Sequence, residues 1–176
     1  MLVLLDRDGV VNEDAPDYIR LPAAWTPIAG SLAAIATLNR AGHTVAVCTN
    51  QSAIGRKYIT EATLGTIHAK LRDALAGVGG HLDALLYCPH RPEDGCVCRK
   101  PEPGLLLAAR ARFPSAASST IVVGDSLRDM QAAFRGACTP VLVRTGNGAR
   151  DEAAARALGV RAVFADLAAA VEWILT

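Results

Sequence analysis

The sequence predicts an α/β fold built on a doubly wound parallel sheet with helices on both faces, and three observations carry that prediction. Short apolar runs alternate with segments of helical periodicity along the chain. Runs such as Ile121-Val-Val123 are apolar on both faces, as strands covered by helices from either side must be. Polar clusters start where several of these runs stop, and open parallel sheets bind ligands at the C-terminal ends of their strands.

Taken in order, strands are expected at Leu2–Leu5, Thr44–Cys48, Leu82–Tyr87, Thr120–Val123, Val141–Val143 and Ala162–Phe164. Helices are expected at Ser31–Ala41, Thr60–Ala76, Pro103–Phe113, Leu127–Arg135, Asp151–Leu158 and Leu167–Leu175, where apolar residues recur three and four apart. Ser31, Thr60 and Asp166 have side chains suited to N-caps, and Gly42, Gly77, Gly136 and Gly159 stand where helices end.

The 176 residues, 51% hydrophobic, suffice for one domain (1–176) that buries a core without disulfides. A formal charge of +1 and 5% aromatics leave neither the basic field nor the stacking surface that nucleic-acid binding requires. The apolar start Met1–Leu5 is too short for a signal peptide, and no later stretch approaches the roughly 20 apolar residues of a membrane span. A cytoplasmic protein with no membrane partner is expected, and a monomer, since no amphipathic stretch stands out as a partner surface.

Asp6 and Asp8 flank one residue directly after the first strand and before Gly9. Residues two apart in extended chain point the same way, so both carboxylates can face one small volume. Asp125, at another strand end, adds a third acid. Such crowding favours a divalent cation, and hard oxygen donors favour Mg2+. One carboxylate can then attack phosphorus while the other handles the proton. Taken alone, Asp-x-Asp-Gly is also a common surface turn; its place after a buried strand argues for chemistry. Thr49 and Asn50 close the second strand with groups able to hold phosphate oxygens, and Arg99 and Lys100 form a cationic pair stiffened by Pro101 and Pro103.

Cys88-x-His90, five residues, then Cys96-x-Cys98 gives four metal-type ligands within eleven residues. The set matches structural Zn2+, which is tetrahedral and closed to water. The loop 88–98, after the third strand, reads as a staple that stiffens the approach to Arg99 and Lys100. Cys48 and Cys138 read as core residues, and His43, His68 and His81 as surface or helix-end residues.

These residues resemble the haloacid dehalogenase superfamily over nearly the whole chain. Asp6-Arg-Asp-Gly-Val-Val-Asn12, Thr49-Asn-Gln-Ser52, Arg99-Lys-Pro101 and Gly124-Asp-Ser-Leu-Arg-Asp129 are similar to its four motifs. The cysteine loop and the lack of a large cap insertion narrow the resemblance to the D-glycero-D-manno-heptose 1,7-bisphosphate 7-phosphatases, as do Thr49–Arg56, Lys100–Leu105 and Val141–Gly146. The resemblance implies a sugar phosphate substrate in nucleotide-activated heptose biosynthesis, with Asp6 as nucleophile and Asp8 as general acid and base. It places Mg2+ on Asp6, the main-chain oxygen of Asp8, and Asp125. Thr49 and Lys100 would bind the transferring phosphate, Asn50 would orient it, and Arg99 would reach the distal phosphate or sugar. Asp14, Asp17, Gln51 and Ser52 are further substrate candidates. Val10 and Ser126 depart from the usual threonine and lysine of the family. Histidinol-phosphate phosphatases share the motifs and a similar cysteine loop; Ser52 and Arg144-Thr-Gly146 favour heptose bisphosphate. A binding protein that had lost turnover would lack one of the occupied catalytic positions.

Overall fold

The computed structural model describes residues 1–114 and 119–176. Six strands, β1 (Leu2–Leu5), β2 (Thr44–Asn50), β3 (Ala84–Cys88), β4 (Thr120–Gly124), β5 (Thr139–Val143) and β6 (Ala162–Phe164), form one sheet in the order β3-β2-β1-β4-β5-β6. Every pairing is parallel. The order runs outward from β1 in one direction and then restarts on its other side at β4. The crevice beside the C-terminal ends of β1 and β4 is therefore the place where such sheets bind ligands.

Helices α1 (Ser31–Arg40), α2 (Ser52–Gly55), α3 (Glu61–Ala76), α4 (Gly104–Arg112), α5 (Leu127–Arg135), α6 (Gly148–Leu158) and α7 (Leu167–Ile174) connect the strands. Alternation along β1 divides the core between the two faces. Val3 and Leu5 pack with Ile35, Ile67, Leu71 and Val171 of α1, α3 and α7; Leu2 and Leu4 pack with Leu105, Leu106 and Ala132 of α4 and α5. All four residues of β1 are fully buried, so the strand that carries the first acidic motif is held from both sides.

Local departures from expectation have identifiable causes. Strand β2 runs two residues further than its apolar stretch, because Thr49 and Asn50 pair with Tyr87 and Cys88 of β3. Strand β3 begins at Ala84 rather than Leu82. Ser31 is the first residue of α1 rather than its cap: Gly30 occupies the cap at φ +82°, and the Ser31 hydroxyl donates to Val11 O at 2.6 Å. Thr60 and Asp166 do cap α3 and α7 through Thr63 N and Ala169 N. Helix α6 starts at Gly148, before Asp151, and the single turn of α2 was not expected. Between β1 and α1 the chain forms a loop with one 3-10 turn at Pro22–Ala24 and no inserted domain. Lys70 of α3 pins that loop by donating to Pro22 O and Trp25 O, both at 2.8 Å. Among the described residues, no helix is long and apolar enough to cross a membrane.

Candidate active site

Two strand ends and one helix start deliver the acidic groups. Asp6 follows β1, Asp125 follows β4, and Asp129 lies in the first turn of α5; one oxygen from each falls within 4.8 Å of the others. Gly9 and Gly146, at φ +80° and +56°, allow this closeness, since a Cβ on either would stand 2.2 Å from Asp125 Oδ2. Thr145 Oγ1 donates to Gly9 O at 2.6 Å and ties the loops after β1 and β5 together. Asn147 fixes the Asp125 carboxylate by donating from its backbone N and from Nδ2, at 2.8 and 3.1 Å.

Lys100 enters from the opposite wall. Its ammonium is buried and lies 2.9 Å from Asp6 Oδ1 and 2.6 Å from Asp129 Oδ1. Burial opposes its charge, but Asp129 and Asp6 overcome this and hold its pKa above the usual lysine value. Burial raises Asp6 to about 7; Lys100 pulls the other way, and Asp129, Asp125 and Asp8 push further up. Burial, followed by Asp129, raises Asp125 to about 6. Three carboxylates against one ammonium leave a formal charge of −2 in a partly dry crevice, which a single divalent cation on hard oxygen donors balances.

The Asp8 carboxylate stands apart from this triad. Arg7 grips it through Nε and NH2 at 2.8–3.0 Å, Asn12 Nδ2 donates to Oδ1 at 2.9 Å, and Gln51 Nε2 donates to Oδ2 at 2.9 Å. The side-chain oxygens of Asp8 are thus engaged by Arg7, Asn12 and Gln51. Gln51 Nε2 also donates to Thr49 Oγ1 at 2.9 Å, so one amide links the acid to the phosphate candidate.

A cleft of about 260 Å3 opens above these groups and brings together Asp6, Asp8, Asp14, Thr49, Asn50, Gln51, Ser52, Arg99, Lys100 and Asp125. Asp17 is exposed and is not among the lining residues, in contrast to expectation; its carbonyl accepts from Arg20 Nε instead. Asn50 lines the cleft, and its amide exchanges hydrogen bonds with the main chain of Lys100, at 3.0 Å each way. Its geometry positions Lys100. Ser126 is the N-cap residue of α5, and its hydroxyl and N–H both donate to Asp129 Oδ2, at 2.6 and 3.1 Å.

Sequence reasoning passed over Asp129, Arg7, Asn147 and Arg128, which also line the cleft. Asp129 had a legible signal in the Ser126-x-x-Asp129 spacing of a helix-start capping box. Arg7 had the opposite signal, since a residue between two site-facing acids should point away. His68, read as a surface or helix-end residue, is buried against Arg7 within α3.

A second cluster lies beside the cleft. Strand β3 ends at Cys88, and the loop through a 3-10 turn at Pro92–Asp94 returns Cys96 and Cys98 to it. Cys88, His90, Cys96 and Cys98 place their sulfur and Nδ1 atoms 3.2–3.6 Å apart across five measured pairs. A tetrahedron with metal–sulfur bonds of about 2.3 Å has edges of roughly 3.8 Å, so the donors are gathered to metal-binding size. Arg99 NH1 donates to His90 O at 3.2 Å, which fastens the loop to the cationic pair.

Comparison with known proteins agrees with this geometry. A HAD-hydrolase-like family model matches residues 97–170. The D-glycero-β-D-manno-heptose-1,7-bisphosphate 7-phosphatases of Bordetella bronchiseptica and Pseudomonas aeruginosa are 46% and 47% identical over 174 residues, covering 99% of this chain and 97% of each relative. The crystal structure of the B. bronchiseptica D,D-heptose 1,7-bisphosphate phosphatase, complexed with magnesium and phosphate, superposes with a TM-score of 0.94, covering 99% of this chain and 97% of that one. The Burkholderia thailandensis enzyme, 39% identical, gives 0.77 with 99% and 98% covered. With its parallel sheet, acidic crevice and full-length similarity, the chain belongs to the haloacid dehalogenase-type family of D-glycero-β-D-manno-heptose-1,7-bisphosphate 7-phosphatases.

Proposed function

We propose that the chain removes the C7 phosphate of D-glycero-β-D-manno-heptose 1,7-bisphosphate through an aspartyl-phosphate on Asp6, with Mg2+ in the acidic crevice and Zn2+ in the Cys88–Cys98 loop. The observation that carries this reading is the convergence of Asp6, Asp125 and Asp129 around the buried ammonium of Lys100. Such an arrangement has a nucleophile, a residual charge of −2 and a fixed cation for an incoming phosphoryl group. Asp6, Asp125 and the main-chain oxygen of Asp8 would hold Mg2+, with Asp129 behind them. When bound, the cation offsets the repulsion between carboxylates and phosphate.

In the first step an Asp6 carboxylate oxygen attacks phosphorus, and the bond from phosphorus to the C7 oxygen breaks. The leaving oxygen takes a proton from Asp8. In the second step Asp8 accepts a proton from water, which attacks the phosphoryl group and releases inorganic phosphate, restoring Asp6. Lys100 and Thr49 bind the phosphoryl oxygens, and Arg99 faces the distal phosphate. Asp14, Gln51 and Ser52 line the route to the sugar. The four donors of the Cys88 loop, closed on one another, suit a structural ion rather than a catalytic one.

The names of the relatives favour heptose bisphosphate over histidinol phosphate, and the β anomer over the α. Phosphate release from both anomers and from histidinol phosphate, with Mg2+ present, tests this. The β anomer should lead the panel by at least about tenfold in kcat/KM, about 1.4 kcal/mol of transition-state binding. Faster turnover of histidinol phosphate would overturn the assignment.

A further inference from the structure

Arg7 is a charged residue with only 1% of its surface exposed, so each of its N–H groups needs a partner. Nε and NH2 are directed at Asp8, and NH2 also donates to Gln51 Oε1 at 3.2 Å. NH1 meets Nε2 of His68, on α3, at 3.1 Å. A guanidinium only donates and stays protonated, so Nε2 must accept and the imidazole must be neutral, with its proton on Nδ1. Burial, then the charges of Arg7 and Arg72, hold His68 down to about 3, in agreement with that assignment. The Tyr87 ring, 6.0 Å away and tilted by 58°, packs beside the imidazole.

We propose that His68 is a positioning residue for the reaction: as a permanent hydrogen-bond acceptor it orients Arg7, and through Arg7 and Gln51 it sets the carboxylate of Asp8. The chain of contacts is continuous, since Gln51 turns its carbonyl to Arg7 and its amide N–H groups to Asp8 Oδ2 and Thr49 Oγ1. Removing the acceptor leaves NH1 buried without a partner. The guanidinium then shifts to find one, and the Asp8 carboxylate follows. Helix α3, whose inner face otherwise packs apolar core, thereby reaches the acid and base of the cleft without touching substrate.

The inference rests on Asp8 acting as the general acid, and the test separates the two. The first step needs Asp8 most when the leaving oxygen is a poor one, as in an alkyl phosphate, and least for p-nitrophenyl phosphate, whose leaving group departs unprotonated. kcat/KM reports that step. For H68L we expect a loss of about tenfold on the heptose bisphosphate and less than about twofold on p-nitrophenyl phosphate. H68Q, whose side-chain oxygen can accept from NH1, should recover most of the lost alkyl activity. D8N should show the same bias toward p-nitrophenyl phosphate, more strongly. If D8N shows no leaving-group bias, the role of Asp8 is wrong. If D8N shows it and H68L loses both substrates equally, or neither, His68 is a packing residue and the proposal fails. Thermal unfolding measured alongside identifies a variant that does not fold; H68F then provides the same comparison.

Discussion

The two clusters of metal-type ligands in this protein are assembled in opposite ways. Cys88, His90, Cys96 and Cys98 lie within eleven consecutive residues and need only one loop to meet. Asp6, Asp125 and Asp129 are separated by more than a hundred residues between the first and second, and need β1 and β4 to be neighbours in the sheet. The local cluster is closed, each donor facing the others. The distant cluster is open on one side, where the cleft admits a ligand. A staple can be built from a short segment; a site that must be both rigid and accessible is set at the junction of rigid strands. The two meet at Arg99 and Lys100, which leave the cysteine loop and enter the cleft.

The largest effect should come from the open cluster. Asp6→Asn removes the attacking carboxylate oxygen and should cut turnover by roughly a thousandfold or more while leaving the fold intact, as checked by steady-state kinetics beside circular dichroism. Substantial residual activity would mean that Asp6 is not the nucleophile.

A smaller effect should travel from the closed cluster to the open one. Cys98→Ser, or chelation that strips the loop, should lower kcat/KM by about tenfold and reduce the melting temperature, because the Arg99 and Lys100 segment loses its anchor. Elemental analysis of the untreated protein should give one zinc per chain. Unchanged kinetics in a protein shown to be metal-free would break the link between the clusters.

The smallest effect concerns pH. The Asp6 and Asp125 pKa values are raised in the fold to about 7 and about 6, above the ordinary value of 3.8. For raised carboxylates, their contribution to stability is present below about 3.8 and is lost as pH rises through 6 to 7. Magnesium, which needs them ionised, should compensate in that upper range. Differential scanning fluorimetry should therefore show Mg2+ raising the melting temperature more at pH 8 than at pH 5, by a few degrees. Equal shifts at both pH values would place the ion elsewhere.

Legibility followed the same division between local and distant. The cysteine loop could be read directly because its meaning lies in spacing. Six strands and six of the helices were visible in periodicity, with errors at their ends where pairing rather than composition decides, as at Thr49 and Asn50 of β2. The short α2 carried too little pattern to be seen. Asp17 illustrates the converse: proximity to Asp14 in sequence did not bring it to the cleft. His68 was hidden because a lone histidine in a helix has no visible partner until Arg7 is placed beside it.

The sequence by itself determined the parallel α/β architecture, the strand ends that bear acids and the four donors of the loop, since each depends on patterns within a few residues. The tertiary structure alone decided that Lys100 pairs with Asp6 and Asp129, that Asn50 holds the main chain of Lys100, and that Arg7 turns back onto Asp8. Those arrangements come from burial. A charge removed from water must find its counterpart, and which counterpart is within reach depends on how the strands and helices pack.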